Sequence, residues 1–466
     1  MTAVALPRRA RVRPHLASAG AAVTTARLAS LVLAAVQVPL VARLVPHDEF
    51  ATVPLTVQAA VLLGLVLADP AVLAFQRHPG ALGDRADYRW AARRAAVGLG
   101  TGCALLLAVG ALVGAPALAL GIAGWTLGLT VNRLSAIAWL MWGREWRYAI
   151  SLVGSTALRT AVLVVALSAG TGPGTALALA GALSALLAVV LAPRTQPTTG
   201  RPPRADLRLG TGLAVGQLGL HLLGSAPLVV GSSLLGTGAT ARLGAATQVA
   251  LLLGTALNLV TTLAYPRLRR RWDDGDEAGV LATGRLLVVA FAAGGAAALS
   301  VSGAADSALL RVALTDGLVD GVLVAALVTA SCASSMALVA SWTHQFRLRA
   351  RRIAVRSLTT AALALGLVAV GTLLDGVRGA AVGGLVGMLC HAAAMAAGSG
   401  LVTARTLAAG ASLVAAAGLC VVVPGGPAST AVAAGVALIA GAAAALHGRG
   451  CRDRRAAAGA RPGRPS

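Results

Sequence analysis

Residues 24–77 read TTARLASLVLAAVQVPLVARLVPHDEFATVPLTVQAAVLLGLVLADPAVLAFQR. An apolar helix carries one charge, Arg27, and runs out through Pro39-Leu-Val-Ala-Arg43. A short polar turn, Pro46-His47-Asp48-Glu49-Phe50, follows, and a second apolar helix returns to Gln76-Arg77. An arginine some ten residues into a membrane helix lies about 15 Å deep at 1.5 Å per residue. A charge at that depth costs several kcal/mol and faces a wet interior or a partner instead of lipid. The stretch therefore reads as belonging to a membrane protein with a polar interior.

Composition carries the membrane reading to the whole chain. Of 466 residues 57% are hydrophobic and only 12% charged, and the mean hydropathy is +0.80. A soluble domain would carry about 25% charged residues. The formal charge of +23 comes from 39 basic residues, every one an arginine. Their placement at helix ends argues against a nucleic-acid interface. Cys103, Cys332, Cys390 and Cys420 fall inside apolar segments and Cys451 in a terminal tail, with no CxxC spacing, so neither disulfides nor a metal site is implied. A Walker-type phosphate loop needs a lysine that this chain lacks. The first apolar segment is too long for a signal-peptide core and reads as retained.

The pattern gives an all-α integral membrane protein of about fourteen spans, two pseudo-symmetric six-helix lobes plus two C-terminal helices. A basic tail (1–16) precedes an N-terminal lobe over 17–193 with spans at 17–43, 51–75, 95–114, 117–141, 149–169 and 174–193. A Pro/Arg-rich linker (194–208) leads to a second lobe over 209–399 with spans at 209–235, 240–265, 280–302, 318–343, 353–374 and 379–399. Two further helices, 406–423 and 428–447, lie in the stretch 400–447, and a basic tail (448–466) closes the chain. With both termini cytoplasmic, 32 of the 39 arginines fall inside and only Arg43, Arg242, Arg311 and Arg378 outside. That is the positive-inside bias of a multi-pass cell-membrane protein. No outer loop is long enough for a catalytic lobe, and its acids Asp306, Asp316 and Asp320 are dispersed, so no enzyme is indicated and no cofactor is called for.

An internal repeat relates the halves. Gln58-Ala-Ala-Val-Leu-Leu-Gly64 matches Gln248-Val-Ala-Leu-Leu-Leu-Gly254, and Pro39-Leu-Val-Ala matches Pro227-Leu-Val-Val. Transporters built from parallel repeats bind substrate between them. Polar residues form stripes at 100° per residue: Arg27, Ser30 and Gln37 on the first span; Ser151, Ser155 and Arg159 on the fifth. Gln217, His221 and Ser225 share a line on the seventh, Gln248, Thr255, Asn258 and Thr262 one on the eighth, and Asn132 and Arg133 lie on the fourth. Together they are expected to wall one cavity between the lobes. Arg27, Arg133 and Arg159, all placed in the cytoplasmic half, would take a phosphate-bearing headgroup, because guanidinium binds phosphate bidentately. The plainer alternatives stay open: hydroxyls bond their own helix or glue helices together, Arg133 snorkels, and His221 is a satisfied structural histidine as readily as a proton relay. Asp69-Pro70 reads as a helix terminator, with an ion-coupling role for Asp69 as the alternative.

The stretch Pro39-Leu-Val-Ala-Arg43-Leu-Val-Pro-His-Asp-Glu49-Phe50 resembles the first helix end and outer turn of polysaccharide flippases in the multidrug/oligosaccharidyl-lipid/polysaccharide flippase superfamily, with Ala51 where a glycine is usual. Trp146-Arg147-Tyr148, the run Leu228-Val-Val-Gly231 to Gly244, and Asn258 through Tyr265-Pro266-Arg267-Leu268 are similar too. Gly231-Ser232-Ser233 stands where members often carry an Asp or Arg. The resemblance, over about 17–270, implies alternating access between two six-helix lobes. It also implies movement of a polyprenyl-pyrophosphate oligosaccharide from the inner to the outer leaflet for cell-surface polysaccharide biosynthesis. The arginines would then neutralise the pyrophosphate, the Gln, Asn and Ser stripes would bind sugar hydroxyls, and coupling would come from an ion or the membrane potential. The partners would be membrane lipid, the lipid-linked glycan, and a polysaccharide polymerase or glycosyltransferase. A drug/cation antiporter of the same fold and an inactive flippase-like scaffold are the alternatives.

Overall fold

The computed structural model describes residues 16–46, 49–77, 85–142, 144–193, 204–304 and 321–422, with some side chains inside the helices left out. The expected helix at 428–447, the loop acids Asp306, Asp316 and Asp320, both basic tails, most of the linker and the side chains of Gln248, Thr255 and Thr262 lie outside what is described.

Among the described residues thirteen helices follow in order: α1 (Leu16–Leu44), α2 (Thr52–Leu67), α3 (Asp69–Arg77), α4 (Arg85–Leu112), α5 (Pro116–Met141), α6 (Glu145–Ser168), α7 (Pro173–Val190), α8 (Arg204–Leu235), α9 (Thr237–Asp273), α10 (Glu277–Ala304), α11 (Gly321–Phe346), α12 (Ala350–Ala396) and α13 (Ala404–Val422). Nine of them are long and apolar enough to cross a membrane, ten when α2 and α3 count as one bent span. The 47-residue α12 is two spans: Asp375 and Gly376 leave helical geometry, Gly376 at φ +53°. Its arms fold back on each other, Gly383 against the Leu367 carbonyl and Gly387 against Ala364.

Two differences from the sequence reading have a physical origin. The second span is broken: α2 and α3 meet at a 58° bend around Ala68. Pro70 causes it, since a proline removes one helical N–H and its ring displaces the preceding turn. The helices α4 and α9 also extend past their expected apolar spans, to Arg85 and Asp273. Hydropathy marks the stretch that sits in lipid, whereas a helix continues into water when its charges pair, as Arg269 does with Asp273 at 3.0 Å one turn later.

The helices pack as two groups, α1–α7 and α8–α13, with matching internal partnerships. In the first group α1 lies along α6, α2 and α4 lie against α5, and α6 packs on α7. In the second, α8 lies along both arms of α12, α9 and α10 lie against α11, and the two arms pair. Small residues permit the closest crossings. A Cβ at Gly124 of α5 would stand 2.6 Å from the Ala178 carbonyl oxygen of α7, and one at Gly219 of α8 2.7 Å from Ser357 Cβ of α12. Close approach through small residues is how membrane helices gain van der Waals contact without a hydrophobic driving force between them.

The groups meet at both ends of the bundle. At one end α3 is shared: Val72 and Phe75 pack with Tyr88 and Leu134 of the first group, while Leu73 packs with Leu213 of the second. At the other end Phe50 and Val53 pack with Ala241 and Ala245 of α9.

Candidate functional site

The polar interior lies within the first group, along the seam of α1, α5 and α6. The helices α1 and α6 run parallel in register, so their polar residues meet level by level. In the first turns of α6 the Arg27 Nε donates to the Tyr148 hydroxyl at 2.7 Å. One turn up α6, Ser151 donates to Ser135 of α5 at 3.4 Å. Farther along, the Thr160 hydroxyl donates to Gln37 Oε1 at 3.1 Å. At that level the Arg159 guanidinium lies over the Trp125 ring, 4.8 Å from its centroid, a cation–π contact of about 0.5–2 kcal/mol.

What distinguishes this seam is unmet hydrogen-bonding capacity. The buried Nε and Nη1 of Arg159, Nε1 of Trp125, Oδ1 of Asn132, and the hydroxyls of Ser30 and Ser155 have no partner among the described residues. Ser155 and Arg159 stand one turn apart on α6, and Trp125 and Asn132 two turns apart on the same face of α5. Leaving buried polar atoms unpaired costs about 1–3 kcal/mol each. These atoms are strung along the seam between the levels of Tyr148 and Arg159, and they could form hydrogen bonds with a polar ligand. Every Ser, Thr or Asn oxygen orphaned in this way among the described residues lies in the first group. In the second group Thr329, Ser335, Ser341, Thr343 and Thr372 each donate to a carbonyl three or four residues back in their own helix.

The expected single cationic cluster divides into three places. Arg27 sits at the Tyr148 end of α6. Arg159 is about 16 Å farther along that helix at 1.5 Å per residue, past its midpoint, so the three arginines do not form one cluster. Arg133 turns away from the seam and pairs with Asp69 through its Nη1 at 2.6 Å. The reason is geometric: Asn132 and Arg133 are adjacent and so point about 100° apart on α5, the first into the seam and the second toward α3.

Nor do the described second-group side chains join that seam. Gln217 lines a separate cavity of about 50 Å3, room for a few waters, with Ser341, Gln345, Ser357 and His391. The His221 ring meets the Gln58 backbone of α2 across the groups, its Nε2 otherwise unpartnered among the described residues. Ser225 bonds back to the His221 carbonyl at 2.9 Å. Asn258 is exposed and accepts from its neighbour Thr261 at 2.9 Å. The sequence stripes thus report local helix faces and not a common wall. Sequence reasoning missed Trp125 and Tyr148, which meet their arginines only through tertiary packing. The Asp69–Arg133 pair had a signal: a carboxylate and a guanidinium embedded in apolar spans seek each other.

No protein-family model and no curated protein matches the sequence. Solved structures do. An inward-facing multidrug resistance MATE family transporter of the MOP superfamily has a TM-score of 0.56 at 14% identity, over 83% of this chain and 98% of that one. The lipid II flippase MurJ in its inward closed conformation has a TM-score of 0.57 at 10% identity, over 90% and 97%. The Vibrio cholerae MATE transporter VcmN in the bent form has 0.54 at 15% identity, over 87% and 99%. The chain therefore shares the fold of these MATE and MurJ structures, and its long apolar helices make it a multi-pass membrane protein. At these identities the likeness concerns the fold.

Proposed function

We propose that this chain moves a lipid-linked anion, a polyprenyl-pyrophosphate oligosaccharide, from the inner to the outer leaflet by alternating access, with both termini cytoplasmic. The observation that carries the reading is Arg159: a guanidinium stacked on Trp125 whose buried Nε and Nη1 have no hydrogen-bond partner among the described residues, with orphaned Ser155 one turn away on α6. A pyrophosphate supplies the acceptors those groups lack, and sugar hydroxyls match Ser30, Gln37 and Asn132. The arginine bias toward one side supports the orientation.

The solved structures of this fold suit a drug/cation antiporter equally well. That activity needs a buried carboxylate open to H+ or Na+. Asp69 is the sole buried acid among the described residues, and Arg133 already holds it, which favours the anionic substrate. The test is flipping of a fluorescent polyprenyl-pyrophosphate oligosaccharide in proteoliposomes. Arg159→Ala is expected to lower the rate at least tenfold, and Arg27→Ala less, because Tyr148 already engages that side chain. Absence of flipping by the wild-type protein across several such glycans would return the antiporter and scaffold readings to the front.

A further inference from the structure

We infer that Asp69 and Arg133 form a proton-linked anion port, in which an anion that takes Arg133 forces a proton onto Asp69. The inference rests on the anionic-substrate reading above and names its coupling ion. The Asp69 side chain is 4% exposed and the Arg133 side chain 39%. A ligand can therefore reach the guanidinium while the carboxylate stays enclosed. Among the described side chains, the elements packed against α3 bring little else to Asp69. Neither α2 nor the described side chains of α8 near it carry a charge. From α4 comes Tyr88, whose ring packs edge-on against Phe75, together with Arg89, Arg93 and Arg94, none of which acts on Asp69. From α5 comes Arg133, the one charge among the described side chains that does.

The exchange balances. The contact between Asp69 Oδ2 and Arg133 Nη1 breaks, and the Arg133 N–H groups turn to phosphate oxygens. The carboxylate is then left buried without a cation, a state costing several kcal/mol, and is relieved by forming an O–H bond with a proton from the solution on the side of entry. The place matters for transport. Asp69 opens α3 at the 58° bend, and α3 is the segment shared by the two groups, so the exchange acts on the contact that must open.

The test is calorimetric titration of the full-length protein in lipid nanodiscs with farnesyl pyrophosphate, in pairs of buffers of differing protonation enthalpy, with farnesol as the uncharged control. The expected result is uptake of about one proton per bound anion and affinity rising by up to about tenfold per unit fall in pH, the slope of a single linked proton. Asp69→Asn should bind with neither effect beyond the ligand's own titration. Binding by the wild-type protein without proton uptake, or uptake that persists in Asp69→Asn, would overturn the port while leaving the anionic-substrate reading intact. Failure of the wild-type protein to bind farnesyl pyrophosphate at all would sink both. Binding without proton uptake by the wild-type protein overturns the port even where the variant does not fold.

Discussion

Replacing Arg159 with methionine should separate stability from transport. The variant keeps an unbranched apolar stem of similar reach over Trp125 and removes two buried N–H groups that have no partner among the described residues. Taking an unpaired charge out of an apolar interior gains on the order of 1 kcal/mol or more, so thermal unfolding in detergent should shift up by a few degrees while flipping is lost. A variant that unfolds earlier than the wild type would mean the guanidinium is structural. At this scale the sequence was a partial guide. Depth in an apolar run is enough to mark Arg27 and Arg159 as costly, because cost depends on position along one helix. Their fates depend on residues far away in sequence: Tyr148 and Trp125 carry no mark that would pair them with an arginine, and only the packing of three helices does so.

At the scale of elements, the crossing of α5 on α7 is fixed by backbones that touch. Gly121, Gly124 and Gly128 of α5 face Gly174, Ala178 and Gly181 of α7. Gly124→Val would drive a branched side chain into the Ala178 carbonyl, and both helices would have to separate. The expected outcome is loss of the monodisperse peak in size-exclusion chromatography, whereas Gly100→Val, where a Cβ meets nothing within 4 Å, should leave it unchanged. Helix existence was legible throughout the described residues because twenty apolar residues in a row have few other fates. Helix ends were not. The charged first turns of α4 and the Arg-rich end of α9 look like loop by composition, yet both are helical, and in α9 the pairing of Arg269 with Asp273 supports the last turns. The break at Ala68 was half-visible, since Pro70 signals an interruption but not whether the chain resumes as helix.

Across the whole molecule, the two groups touch at both ends at once, through Leu73 and Leu213 and through Val53 and Ala245. A carrier working by alternating access must release these contacts singly, first at one end and then at the other. In a cysteine-free background, joining Leu73→Cys to Leu213→Cys with a short bifunctional thiol reagent should stop flipping, and joining Val53→Cys to Ala245→Cys should stop it as well. Continued transport with either end tied would exclude the rocking of one group against the other. The repeat in the sequence anticipated two halves, and the matching partnerships of α1 with α6 and of α8 with α12 give that repeat its physical form. The described side chains do not form the common binding wall it suggested, because equivalent positions need not carry equivalent chemistry.

The uneven treatment of hydroxyl groups has a consequence for how the gene can vary. In the second group Thr329, Ser335, Thr343 and Thr372 spend their hydrogen bonds on their own helices, so alanine at any of them leaves no stranded acceptor and little to repair. In the first group Ser30, Asn132 and Ser155 are kept polar with nothing among the described residues to satisfy them. A deep mutational scan selected for transport should therefore come out lopsided, with polar-to-alanine changes accepted freely after residue 320 and rejected along the α1, α5 and α6 seam. An even map would mean that the seam's polar atoms serve no passenger.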